Sequence, residues 1–179
     1  MRAHFATIIG SLMLTGAGAL LSACSSSEPA HMLTPFLDTD FGRWKGPGDA
    51  SVTGQAFVKL ASGRVVTCAG ETVSLVPATG YNMEMEQALG QGLGMPDDYS
   101  KRAHAYDRKT TCDGVGRFSF ENVPAMNWIV LTRVNWQEPS FYPFLGPNDK
   151  GGFLYQEKTL DDGANNVILT KDDFIKDAE

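Results

Sequence analysis

From Ser51 onward apolar and polar side chains alternate. In VTGQAFVKL, Val52, Ala56, Val58 and Leu60 share one parity, with Phe57 the exception, and a period of two predicts a half-buried strand. Ala61 to Gly63 form a turn, RVVTC continues as a second strand, and a third follows in TVSLVPAT, where Val73 and Leu75 lie on one face and Thr72, Ser74 and Val76 on the other. Further along, Phe118 and Phe120 alternate with Arg117 and Ser119. In WIVLTRVNW, Trp128, Val130, Thr132 and Val134 oppose Ile129, Leu131 and Arg133. FLYQEKTLDDGANNVILT supplies two more strands around Asp161, Asp162 and Gly163. Short alternating strands separated by turn residues predict an all-β sandwich of about seven strands, spanning residues 51–170.

Two segments break this rhythm. Between Tyr81 and Asp107, residues Met83 to Leu89 are helix formers followed by Gly90, Gly92 and Gly94, which predicts a short glycine-stopped helix. A second helical turn is expected within Tyr99 to Tyr106. An insertion of this length between strands, 81–107, is where specific contacts are expected. The other break is FYPFLGP, where Pro139, Pro143 and Pro147 interleave with Phe141, Tyr142, Phe144 and Leu145 and predict an irregular aromatic loop. The end, 171–179, reads as a frayed polar tail.

The beginning changes the picture more than composition does. Arg2 followed by the uncharged run Ala6 to Ala23 reads as an export signal, to be kept out of the fold. LSAC, Leu21 to Cys24, resembles the lipobox of bacterial lipoproteins. That resemblance implies a signal peptide over 1–23, diacylglyceryl transfer to the Cys24 sulfur, cleavage before it, and acylation, palmitate included, of the new amino terminus. Ser25 rather than Asp after the anchor cysteine is similar to the enterobacterial pattern for delivery to the outer membrane. Residues 24–50 read as an acylated tether. With Cys24 acylated, Cys68 and Cys112 remain as an even pair in an oxidising compartment, where a disulfide is expected; zinc is the alternative, without the C-x-x-C spacing a structural site favours.

After Cys24, 14 Lys and Arg stand against 21 Asp and Glu, a formal charge of −7, which excludes nucleic acid as the expected partner. The 156 residues from Cys24 suit one domain, with no second apolar span.

GQAFVKLASGRVVTCAGETVSLVPAT resembles the opening strands of carboxypeptidase regulatory-like domains, within the transthyretin-like group of Ig-like β-sandwiches. TTCDGVGRFSFENVPAMNWIVLTRV is similar to the second hallmark of that group, T-x-D-x-x-G-x-F-x-F-x-x-(L/V)-P, and NNVILT to its closing strand. Met126 departs from the usual glycine, and the 81–107 insertion from the minimal domain. The resemblance implies a transthyretin-like sandwich in which Asp113, Gly114 and Gly116 are turn residues.

Enzymes on this fold lend nothing residue by residue. Intradiol dioxygenases hold iron with two Tyr and two His, whereas only His31 and His104 follow Cys24, and His31 falls in the expected tether. Hydroxyisourate hydrolases carry a Tyr-Arg-Gly-Ser tail that is absent here. No G-x-S-x-G elbow accompanies His104, which reads as a loop histidine. Asp97, Asp98, Asp149, Asp161 and Asp162 lack EF-hand spacing. No catalytic residue, metal or cofactor is assigned. Trp136, Phe141, Tyr142 and Phe144 form the candidate binding set, because an exposed apolar patch marks a partner site. The expected function is a non-catalytic structural or protein-interaction module in the bacterial cell envelope, bound to the membrane by its lipid and to an envelope protein. The alternative is a carbohydrate- or peptidoglycan-binding module.

Overall fold

The structure, a computed structural model, describes residues 31–91, 93, 99, 101–142, 144 and 146–176. The expected signal peptide, 1–23, and Cys24 lie outside them. Nine strands are present among the described residues. One sheet holds β1 (Ala50–Lys59) with β2 (Val65–Thr67) and β5 (Arg117–Val123) antiparallel to it and β8 (Gly163–Leu169) parallel to it. The other runs in the order β4 (Arg108–Thr111), β3 (Thr72–Pro77), β6 (Asn127–Glu138), β7 (Asn148–Thr159), β9 (Phe174–Lys176). The all-β sandwich read from the alternation is therefore present, with β4 and β9 in addition to the expected strands.

The two inner faces meet along the parity the sequence showed. Val52, Ala56 and Val58 of β1, Phe118 and Phe120 of β5, and Val167 and Leu169 of β8 are buried against Val73, Leu75, Trp128, Val130, Val134 and Leu154 of the second sheet. Trp128 is wholly buried, and its indole Nε1 donates to the Pro124 carbonyl at 2.9 Å, which satisfies the one polar atom that burial would otherwise penalise. At Gly54 a Cβ would come within 2.3 Å of the Phe118 ring, so the absence of a side chain lets that ring lie across β1.

Thr110 to Phe120 holds a stapled turn that is not a hairpin: it carries the chain from β4 in one sheet to β5 in the other. The Asp113 carboxylate accepts from the backbone N–H of Val115 at 2.9 Å and of Arg117 at 2.8 Å, and these bonds hold its pKa below the ordinary carboxylate range. Gly116 has φ +80°, and a Cβ there would stand 2.7 Å from the Ala56 carbonyl. Cys68 and Cys112 form a disulfide, Cα to Cα 5.8 Å, both buried. Cys68 follows β2 and Cys112 follows β4, so the bond ties one sheet to the other. The bond does not pin the roots of the 81–107 insertion. The insertion leaves after Pro77 and returns at Arg108, whereas the disulfide sits at the Thr72–Thr111 end of the same ladder.

Two expectations change. Part of the 24–50 tether is folded: α1 (Asp38–Phe41) and a following 3₁₀ turn, Gly42–Trp44, bury Phe41 and Trp44, and the Trp44 indole donates to Asn127 O at 3.0 Å. The 171–179 tail begins with a 3₁₀ turn capped by Thr170 and Asp173, and continues as β9 on Gly152–Leu154. The side-chain cap satisfies backbone donors that a frayed end would leave to water.

Closing a loop of 44 residues stabilises by roughly 4 kcal/mol in the chain-entropy treatment. Replacing both cysteines by alanine is expected to lower the unfolding free energy by about 3–4 kcal/mol in urea titration, with the far-ultraviolet spectrum retained.

Candidate functional site

The β6–β7 hairpin organises the site. Its ladder runs unbroken through twelve residue pairs, from Asn127–Thr159 to Glu138–Asn148. β3 accompanies β6 only as far as Thr132, and β9 accompanies β7 only over Gly152–Leu154. Beyond these, the described residues form a two-stranded ribbon. Side chains steady it: Gln137 Nε2 donates to Asp149 Oδ1 at 3.0 Å, Asn135 Nδ2 to Glu71 Oε1 at 2.7 Å, and Arg64 to the Gln137 carbonyl at 2.8 Å.

The ribbon ends in the aromatic loop. Phe141 is 88% exposed, Phe144 81% and Tyr142 54%. Burying an aromatic side chain is worth roughly 1.5–3 kcal/mol, so three rings left in water at one tip are an unspent driving force for association. They touch one another: Phe141 and Tyr142 lie 5.1 Å apart at 90°, Tyr142 and Phe144 5.7 Å apart at 53°. The Ser140 hydroxyl accepts from Tyr142 N at 3.1 Å, and Gly146 turns the chain back with φ +78°. Of the four candidate residues, the structure brings Phe141, Tyr142 and Phe144 together. Trp136 is elsewhere, half-buried against Phe174 with its Nε1 donating to Glu138 Oε1 at 3.0 Å.

A second cluster was not read from the sequence. The insertion forms α2 (Gly80–Gly90), capped by the Thr79 hydroxyl, and a 3₁₀ turn, Ala103–Tyr106. These elements and the N-terminal segment build a satellite core of Phe41, Tyr81 and Ala103, covered by Met32, Phe36, Tyr99 and Tyr106. Polar clasps hold the segment down. Glu84 accepts from Leu33 N and Thr34 N at 2.6 and 2.8 Å, Asp38 from Arg102 and from the Tyr106 hydroxyl, and the Arg108 guanidinium donates to the carbonyls of Trp44, Lys45 and Gly46. The visible signal was Phe36, Phe41 and Trp44, three aromatic residues too many for a solvated tether.

Within this cluster Asp107 Oδ2 lies 3.0 Å from His104 Nδ1, and the histidine ring meets Tyr99 edge-on at 5.3 Å. Burial raises the Asp107 carboxyl above its ordinary range, against the opposing effects of His104 and Lys109, and its Oδ1 is buried without a partner among the described residues. Glu86 is half-buried and pushed up to about 7 by burial. His104 has no hydroxyl or thiol hydrogen-bonded to it among the described residues, so the pair there is an oriented imidazole without an activated nucleophile. No group of three or more His, Cys, Asp or Glu side chains that could hold a metal occurs among the described residues. Asp97 and Asp98 lie outside them.

No family model matches the chain, and no curated protein matches it. Among solved structures it is similar to a provisionally assigned carbohydrate binding protein from Pseudomonas aeruginosa, with a TM-score of 0.65 and 23% identity, over 78% of this chain and 100% of that one. The likeness is one of fold.

A carboxyl whose folded pKa lies above its unfolded value of about 4.5 favours folding at low pH, and that contribution is lost as pH rises through the folded value. Glu86→Gln is therefore expected to leave stability at pH 4 nearly unchanged and to raise it at pH 8 by up to about 3 kcal/mol. Urea titrations at the two pH values check this; an equal difference at both would place the Glu86 carboxylate in water.

Proposed function

We propose that the chain is an envelope lipoprotein, acylated at Cys24, whose sandwich is a non-catalytic module that binds through the tip of the β6–β7 ribbon. The observation that carries this reading is the exposure of Phe141, Tyr142 and Phe144 together at the end of a braced ribbon. The lipobox resemblance at Leu21–Cys24 supports the anchor, and the disulfide is in keeping with an oxidising compartment. Membership of the carboxypeptidase regulatory-like group is supported by the T-x-D-x-x-G-x-F-x-F motif at Thr111–Phe120, whose Asp113 and Gly116 make the turn. The outer membrane is the proposed location, on Ser25.

Carbohydrate binding is the second reading, favoured by the assignment of the similar Pseudomonas aeruginosa protein. Sugar stacking uses flat ring faces, and the tip rings lie at 90° and 53° to one another, so the geometry favours a partner that encloses ring edges.

Changing Phe141, Tyr142 and Phe144 together to serine is expected to alter stability by no more than about 0.5 kcal/mol, since these side chains are exposed, and to reduce co-purification of an envelope protein in mild detergent at least tenfold. Binding of the lipidated chain to soluble glycans, lost on Tyr142→Ala, would establish the second reading instead.

A further inference from the structure

We infer, resting on the anchored-module reading above, that the aromatic tip fills an apolar pocket on a second protein that lies on the far side of the sandwich from the bilayer holding Cys24.

The fold has two poles. At one are gathered the N-terminal segment, α2, the start of β6 and the end of β7: Trp44 donates to Asn127 O, Ala78 N bonds to Asn127 O, and Gly163 N to Asp49 O. At the other are the disulfide, the Asp113–Gly116 turn and the tip. β6 runs from one pole to the other, and its twelve residues span roughly 35–40 Å.

The chain available to reach the bilayer is shorter than that. From Cys24 to His31 there are seven residue steps, at most about 25 Å when fully extended. The next stretch is fixed, because Glu84 holds the backbone of Leu33 and Thr34 and Phe41 is buried. End-on insertion of the tip into the anchoring bilayer would need the tether to run the length of the sandwich, which it cannot do.

Chemistry narrows the partner further. Two of the three tip rings are phenylalanine, without the polar atom that places Tyr and Trp at a membrane surface or answers a sugar hydroxyl. Their edges point in different directions, and the Tyr142 N–H is already taken by Ser140. A convex apolar wedge of this kind matches a desolvated pocket, where aromatic anchors carry most binding energy.

The test places a photoactivatable benzophenone amino acid at position 141, 144 or 162 of the full lipid-anchored protein in its own cells. Positions 141 and 144 are expected to give the same protein-sized adduct and position 162, at the opposite pole, none. Deleting residues 26–30 shortens the reach by about 17 Å and is expected to cut that adduct at least fivefold, with the thermal midpoint unchanged. Lipid adducts from position 144, or flotation of the non-acylated chain with vesicles of zwitterionic and anionic phospholipid at 3:1, would overturn the protein pocket while leaving a binding module; so would glycan adducts. A protein adduct unaffected by the deletion would overturn the far-side placement. No adduct at either tip position would overturn both the pocket and the reading beneath it.

Discussion

Everything distinctive about this molecule depends on β6 remaining one unbroken strand for twelve residues. Its first half is flanked on both sides, by β3 and β7, and the inward side chains Trp128 and Val130 there, with Val134 just beyond, fill the centre of the sandwich. Its second half has outgrown β3 and keeps only β7. The hydrophobic effect fixes the strand as far as Val134, and beyond it the β6–β7 ladder, with the side-chain bonds of Asn135, Gln137 and Arg64, carries that order outward to the tip. A break beyond Val134 would leave the core intact and set the aromatic loop adrift.

The opposite pole obeys a different economy. The satellite core is small and rich in aromatic residues, and much of its closure comes from polar clasps between the N-terminal segment and the insertion. Glu84 takes two backbone donors of that segment, and Arg108 takes three of its carbonyls, so the chain's entry into the domain is pinned by groups drawn from the insertion and its return strand. This gives the insertion a structural role at the point where the N-terminal segment enters the fold. Burial raises the carboxyls of Glu86 and Asp107, so this region responds to pH.

The strands whose side chains alternate between core and water were legible in the sequence, because period two is the direct imprint of a sheet with one face buried. β4 was not, since RKTT carries no apolar parity and is a strand only because β3 offers it an edge. β9 was hidden in the same way within a charged tail. The tip was legible as FYPFLGP, with three of its aromatic residues exposed as expected. Trp136 was misplaced among them because its neighbour Phe174 is distant in sequence. The Cys68–Cys112 bond followed from counting cysteines, while its place across the sheets required the topology. Of the Glu86, Tyr99, His104 and Asp107 cluster nothing could be seen, as its members converge only through the packing of the insertion against the N-terminal segment.

The most direct test of the two-pole arrangement is a distance. A donor dye on a cysteine introduced at position 142 of the protein bearing the proposed lipid at Cys24, reconstituted in vesicles carrying a headgroup acceptor, reports the height of the tip above the bilayer by energy transfer. The account predicts weak transfer from position 142, for a tip held roughly 35 Å or more above the surface, and strong transfer from the same dye at position 37. Equal transfer from both positions, or failure of the mature chain to associate with the vesicles through Cys24, would contradict it.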